Sequence, residues 1–397
     1  MFEHLEPYAG DPIFKLNDAF GADPRTDKVN LTIGYYFDDA GRVPTLESVR
    51  LAQEAAFDAA APRPYLPMAG DPAYRLAVQH LLLGADAAAL REQRVVTVQS
   101  IGGSGALRLG ADFLRRYFPQ ADVWVSDPTW DNHRAIFEGA GCTVRSYPYY
   151  DEASGGVRFE AMLEALRALP PRSVVLLHAC CHNPTGADLT MAQWRALVPV
   201  LVERDLLPFV DIAYQGFGAG VEADVEMLRL LEASGIAFLV ASSFSKSFSL
   251  YSERCGALTL VCPSVAETSL VHGQIQQVVR KMYSSPPDHG ARLVARVLNT
   301  PGLRSRWLDE LEAMRLRLVE MRRCLHEVLS AQLPQASVDR FVTQRGMFSY
   351  TGLSVEQVVR LREVHGVYLL ESGRLCVAGL NTRNVEYTAA ALAEVMR

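Results

Sequence analysis

Ser243-Phe244-Ser245-Lys246-Ser247-Phe248-Ser249 sets one lysine between two aromatic rings and four serines. Lysine is rare in this chain of 397 residues, the others being Lys15, Lys28 and Lys281, while arginine carries most of the remaining positive charge. The apolar run 236–241 before the stretch reads as a buried strand, and 256–262 after it reads as another. A lysine at a strand end between aromatics is expected to be partly desolvated. Desolvation disfavours the ammonium form, lowers the pKa from its usual ~10.4, and exposes the amine lone pair that carbonyl chemistry needs. The plain alternative is an ordinary solvent-facing lysine.

Upstream, the same rhythm of strand, loop and helix repeats. Apolar runs at 95–98, 123–126, 174–177, 207–212, 238–241 and 257–261 alternate with helical stretches, which predicts an α/β fold whose mainly parallel sheet is covered on both faces. Ligands of such sheets sit at the carboxyl ends of the strands, so the polar clusters after each run are the places to look. After the first comes Ser100-Ile101-Gly102-Gly103-Ser104-Gly105, leading into a helix predicted over 106–117. Free backbone N–H groups at a helix start suit an anion, most naturally a phosphate; a simple Gly-rich turn is the alternative. The run is not a dinucleotide fingerprint, because Arg108 stands where the third Gly is needed, and not a Walker loop, because no Lys follows. Ser104 does not sit in G-x-S-x-G either.

The second run ends in Asp127-Pro128-Thr129-Trp130, then Asn132-His133. Trp130 could stack on a planar ring or simply fill core. Cys180-Cys181-His182-Asn183-Pro184-Thr185-Gly186 follows the third run. Its spacing fits no usual zinc pattern, so no metal is expected, and Asn183 suits hydrogen-bond donation. Phe209-Val210-Asp211-Ile212-Ala213-Tyr214 delivers a carboxylate in an apolar setting, which requires a cationic partner; Lys246 is the candidate.

Outside the sheet, residues 1–12 read as a polar arm, and 30–36 as an extended segment ending at Gly34-Tyr35-Tyr36, where backbone can approach a ligand. Helices are predicted over 46–60 and 71–83, separated by Arg63-Pro64-Tyr65-Leu66-Pro67, which holds an exposed tyrosine. Residues 303–331 read as one long amphipathic helix, and 346–350, 368–370 and 375–378 as short strands around a helix beginning near Ser354. Arg374, in Glu371-Ser372-Gly373-Arg374-Leu375, suits bidentate capture of a carboxylate, with a solvated surface charge as the alternative. The composition, 49% hydrophobic, supports a large core and two domains. A net charge of -6 offers no basic footprint for nucleic acid or an anionic membrane. Met1 to Glu6 lacks the charged and apolar regions of a signal peptide, and no apolar run approaches the ~18 residues of a membrane span, so a cytoplasmic protein is expected. The seven cysteines show no C-x-x-C spacing and read as reduced core residues.

In order and spacing, Gly102 to Gly105, Trp130, Cys181-His182-Asn183-Pro184-Thr185-Gly186, Asp211 with Tyr214, and Ser243-Phe244-Ser245-Lys246 followed by Arg254 resemble the class I pyridoxal-phosphate aminotransferases. The similarity runs essentially from end to end. Residues 102–113, 124–137, 178–189 and 346–353 are similar to the aromatic-amino-acid (tyrosine) aminotransferases and their aspartate relatives. The resemblance implies the type I pyridoxal-phosphate-dependent transferase fold: an arm (1–12), a large domain with a seven-stranded sheet (44–301), and a smaller α/β domain built from 13–43 and 302–397. It also implies a homodimer with shared sites.

By the same resemblance, Lys246 would form the Schiff base with pyridoxal 5'-phosphate and then move the proton between Cα and the cofactor carbon. Asp211 would pair with the pyridinium N–H, Tyr214 and Asn183 would bind the phenolic oxygen, and Trp130 would stack on the ring. Gly103, Ser104, Ser243 and Arg254 would hold the phosphate, with Tyr65 reaching the phosphate of the neighbouring subunit. Gly34, Tyr65, Trp130 and Asn183 would line the substrate's place. Arg374 would take the α-carboxylate, and Arg280, from the other subunit, the side-chain carboxylate of aspartate, glutamate or 2-oxoglutarate. Ser104 and Ser285, where aspartate-specific relatives commonly carry Thr and Asn, and Phe37 resemble the aromatic members and leave room for a ring. The expected activity is reversible amino transfer from tyrosine or phenylalanine, and from aspartate, to 2-oxoglutarate. An aspartate aminotransferase is the alternative. A pyridoxal-phosphate lyase or decarboxylase would share Lys246 and Asp211 but gives less reason for the Arg280 and Arg374 pair. A non-catalytic regulator of this fold would need a DNA-binding module, and 1–36 holds no helix-turn-helix pattern.

Overall fold

The computed structural model describes residues 1–8, 10–56, 62, 64–335 and 338–397. Seven strands form its main sheet: β1 (Val95–Ile101), β2 (Val123–Asp127), β3 (Val144–Pro148), β4 (Val174–His178), β5 (Leu207–Ile212), β6 (Phe238–Ser243) and β7 (Cys255–Val261). They lie in the order β1-β7-β6-β5-β4-β2-β3. Only β7 runs against its neighbours; the other pairs are parallel. Successive residues of β4 alternate between two buried clusters, Val174 and Leu176 on one face, Val175 and Leu177 on the other. Both faces are therefore covered, which is why the strands read as unbroken apolar runs.

Three features depart from the sequence reading. β1 and β6 continue past their apolar stretches to Ile101 and Ser243, because polar Gln99, Ser100, Ser242 and Ser243 still pair in the ladder. β3 was hidden: as an edge strand with a half-exposed Val-Arg-Ser-Tyr-Pro sequence it shows no buried run. The helix predicted over 106–117 begins at Gly102, so the glycine run is its first turn rather than a loop before it.

Helix Glu47–Ala56 realises the first part of the 46–60 prediction; residues 57–61 lie outside the described residues. Its N-terminus is capped from a distance, since the Glu310 carboxylate accepts from the Glu47 N–H at 2.6 Å and the Ser48 N–H at 3.2 Å. A carboxylate there satisfies orphan donors and opposes the positive end of the helix dipole. Glu310 belongs to the helix Pro301–Gln332, 32 residues long. Asp71 caps Pro72–Leu83, and Ser354 caps Val355–His365 through a capping box with Gln357.

The early and late parts of the chain are knitted together. Val29–Asn30 pairs in parallel with Val367–Tyr368, and the Cys376 N–H donates to Leu31 O at 2.9 Å. Phe348–Tyr350 pairs antiparallel with Arg374–Cys376. The seven cysteines are all unpaired; five are buried, whereas Cys142 and Cys324 are partly exposed and are not core residues. Among the described residues, no helix is long and apolar enough to cross a membrane.

Candidate active site

The Lys246 loop leaves the carboxyl end of β6 with its two phenylalanines buried. Phe248 stacks on Trp307 with ring centroids 4.7 Å apart, and Trp307 Nε1 donates to Ser247 O at 2.7 Å. With both rings anchored, Lys246 between them lines a cavity of about 240 Å³, its Nζ 5.1 Å from the centre of the Tyr214 ring. Among the described residues this amine has no hydrogen-bond partner. Burial lowers its pKa to about 8, against the pull of Asp211 and with the push of Arg254 and Arg374. The expected desolvation is present, and the free amine becomes accessible within about one pH unit of neutrality rather than only near its ordinary pKa.

Asp211, near the end of β5, also lines the cavity. Its hydrogen-bonded partner is not Lys246, as the sequence suggested, but His133, whose Nε2 lies 3.0 Å from Asp211 Oδ2. Thr129 Oγ1 sits 2.8 Å from His133 Nδ1. A Thr129 hydroxyl that donates to Nδ1 leaves the proton on Nε2, directed at the carboxylate. Burial would raise the Asp211 pKa, but the hydrogen bond from His133 and the nearby charge of Lys246 outweigh it and hold the carboxyl below its ordinary value. The sequence places His133 in the cluster after the second strand but gives it no role; the available signal is a histidine on the first turn of the helix Asp131–Gly139 that follows a strand end.

His178 stands opposite Asp211 in the β4–β5 ladder, and burial pushes its pKa down to about 3, so it is neutral. The donor atoms of His133, His178 and Asp211 lie within 4.8 Å of one another. His133 and Asp211 bond each other, while neither ring nitrogen of His178 has a partner among the described residues. His182 spends both ring nitrogens on Ser126 (2.9 Å) and Thr185 (2.8 Å).

At the other end of the cavity, β1, β6 and β7 bring an anion cradle together. Gly102 has φ of +65°, and its N–H donates to Arg254 O at 2.8 Å. A Cβ at Gly102 would come within 2.6 Å of the Arg254 guanidinium, so only glycine allows that approach. Gly103, Ser104, Ser243, Ser245 and Arg254 line the cavity, with Arg254 Nη1 donating to Ser245 Oγ at 3.3 Å. Free helix N–H groups, serine hydroxyls and a guanidinium together suit a dianion.

Arg374 closes the remaining wall. It is 4% exposed, and among the described residues no carboxylate lies within ion-pair distance. Nη2 donates to Thr32 O at 2.8 Å, Nη1 to Asn183 Oδ1 at 3.4 Å, and the guanidinium lies 4.4 Å from the Phe348 ring centre. Its Nε has no acceptor. Gly34, Trp130, Asn183 and Tyr214 also line the cavity, and so do two residues the sequence did not single out, Ile13 and Leu107. Burial raises the Tyr214 pKa, keeping its hydroxyl protonated. Tyr65, Arg280, Ser285 and Phe37 do not line it. Tyr65 is 94% exposed, and Arg280 is exposed with its guanidinium donating to Ser284 Oγ.

The profile of the aminotransferase class I and II family matches residues 26–392. The aromatic-amino-acid aminotransferase of Escherichia coli (strain K12) is 55% identical over the full length of both chains. An aspartate aminotransferase of Pseudomonas aeruginosa is 50% identical, again over both full lengths. The crystal structure of the aromatic-amino-acid aminotransferase from Burkholderia pseudomallei, covalently bound to pyridoxal phosphate, superposes with a TM-score of 0.98 at 50% identity, covering all of both chains. The chain belongs to the class I and II aminotransferases. It is a transaminase of the type I fold, and its cofactor is pyridoxal phosphate. The residues present fit that group: a lone desolvated amine, a carboxylate fixed by histidine, a tyrosine hydroxyl and a dianion cradle surround one cavity.

Proposed function

We propose that the protein moves amino groups between aromatic amino acids, tyrosine and phenylalanine foremost, and 2-oxoglutarate, with aspartate as a further donor. The observation that carries this reading is Arg374: a buried guanidinium without a carboxylate partner, facing the same cavity as the free amine of Lys246. An amino acid offers the carboxylate and the amine to fill both. When bound, pyridoxal phosphate supplies an electron sink for the carbon that carries the amine. Lys246 would hold the cofactor and move the proton at the substrate Cα. Asp211, backed by His133, would keep a proton on the ring nitrogen. The Tyr214 hydroxyl and Asn183 amide would donate to the ring oxygen, Trp130 would cover the ring, and Gly103, Ser104, Ser243 and Arg254 would hold the phosphate.

Ile13, Leu107 and Trp130 give the cavity apolar surface for a ring, and Ser104 is small. Relatives named for both substrate types stand near equal identity, which favours dual use and keeps an aspartate aminotransferase as the second reading. The exposure of Tyr65 and Arg280, away from their own cavity, supports a homodimer in which each chain lends these residues to its partner's site. We assign 1–12 to an arm, 44–301 to a large domain, and 13–43 with 302–397 to a smaller one, in line with the pairing of Val29–Asn30 with Val367–Tyr368. Seven unpaired cysteines support a reducing compartment, the cytoplasm.

The test mixes purified protein with tyrosine and 2-oxoglutarate, and 4-hydroxyphenylpyruvate and glutamate are expected. Borohydride reduction followed by peptide mapping is expected to place the cofactor on Lys246 among the four lysines. Aspartate turnover without measurable turnover of tyrosine or phenylalanine would select the second reading.

A further inference from the structure

Behind the strand that carries Phe348 lies a second cavity, of about 490 Å³, larger than the catalytic one. Residues 344–348 form the wall between the two: Gln344, Arg345 and Gly346 face the second cavity and Phe348 the first. Four guanidinium residues line it, Arg315, Arg322, Arg323 and Arg345, and no Asp or Glu does. Arg315 is paired with Glu312, and Arg323 with Glu320 and Glu327. Arg322 and Arg345 have no carboxylate within ion-pair distance among the described residues.

Arg322 is the unusual member. It is 4% exposed, and among the described residues its hydrogen bonds all go to neutral acceptors: the carbonyls of Phe341, Gly346 and Phe348 and the Ser349 hydroxyl. Its Nε has no acceptor at all. Burial lowers its pKa to about 10, so it remains a cation at neutral pH. Two carboxylates act on these guanidiniums from behind the wall, Asp188 on Arg322 and Arg345, and Asp224 on Arg315. Asp188 accepts from the N–H groups of Cys181 and His182, and Asp224 from those of Gly216, Gly218 and Ala219. Among the described residues Arg345, which is exposed, is the one guanidinium of the cavity with neither an ion pair nor a side-chain hydrogen bond. The walls are apolar: Phe217 and Leu318 are buried, while Val319 (48% exposed) and Val342 (43% exposed) flank the opening.

We propose that this cavity is a second binding site, for a small organic carboxylate that carries an apolar chain or ring. The carboxylate sits on Arg345, and the apolar body covers Leu318, Val319 and Val342. This goes beyond amino transfer, and its test reads binding rather than turnover, so its failure leaves the transaminase reading untouched.

The probe is 3-(4-fluorophenyl)propionate, titrated into the holoenzyme by fluorine NMR and calorimetry. One molecule per chain is expected at Arg374, and a second at the Arg345 cavity. Arg345→Ala is expected to weaken the second event by roughly tenfold or more, the loss of one charge-assisted contact. Val342→Glu, which puts a carboxylate and its repulsion at the opening, is expected to abolish it. Both residues are exposed, so both variants are expected to keep the fold, the cofactor absorbance and tyrosine turnover. Saturation of the wild type at one molecule per chain, or a second event unchanged in both variants, would overturn the proposal.

Discussion

Lys246 shows how a site residue taxes the fold that holds it. In the cofactor-free protein its pKa is about 8, against 10.5 for an unburdened lysine. Below pH 8 the side chain is protonated folded and unfolded, and the full desolvation penalty is felt. Between 8 and 10.5 the unfolded chain binds more protons, so stability rises with pH; above 10.5 both states are neutral and the penalty is gone. Lys246→Met is therefore expected to stabilise the cofactor-free protein at pH 7 by on the order of 3 kcal/mol. The gain is expected to shrink toward zero by pH 10.5, as read by urea denaturation across that range. An equal gain at pH 7 and pH 10.5 would assign the effect to packing instead. The same variant is expected to lose transamination, because nucleophile and proton carrier leave together.

At the scale of the element, the helix Gly102–Tyr117 must do two things: present its N-terminus to the anion cradle and lie close on the sheet. Gly110 permits the second. A Cβ there would fall inside the van der Waals surface of the Phe209 ring, and Phe209 is wholly buried in β5. Gly110→Ala would favour the helix by about 1 kcal/mol through propensity. Overpacking a rigid core ring costs about 1–3 kcal/mol, and displacement of the helix would add to it. Overpacking is expected to win, with a lowered Tm and weaker retention of pyridoxal phosphate by equilibrium dialysis. A raised Tm would show that the helix and sheet have slack. The sequence announced this helix clearly, but not that its glycines are its first turn, because helix propensity argues against starting there and only the Arg254 backbone contact rewards it.

At the scale of the whole molecule, the proposed homodimer gives the exposed Tyr65 and Arg280 a role in the partner's site. Arg280→Ala is expected to cost kcat/KM for aspartate far more than for phenylalanine in the first half-reaction, since only aspartate loses a charge-assisted contact worth about 1.5–3 kcal/mol. Equal losses would make Arg280 structural. Hybrids sharpen the test: in a dimer of one Lys246→Ala chain and one Arg280→Ala chain, one site receives both lesions and the other receives neither. Mixing the two poor variants under conditions of subunit exchange is expected to restore roughly one-quarter of wild-type aspartate turnover. No recovery would place Arg280 in its own chain's site.

What the sequence determined by itself is the scaffold and its working edge. The apolar run at 174–177 and the largely apolar 207–212, set in a repeated strand and helix rhythm, read as strands covered on both faces, and the polar residues at their ends are then expected to meet at the carboxyl edge. Lys246 was legible for the same reason, a polar group bracketed by residues that have to be buried. Tertiary structure alone chose the partners. His133 reaches Asp211 across 78 positions, and Arg374 reaches Thr32 across 342, set there by the pairing of Phe348–Tyr350 with Arg374–Cys376. The physical reason is that period and propensity record which face a residue turns toward, within a few neighbours along the chain. Which group waits on the other side is fixed only when separately folded elements pack, and no local pattern carries that information.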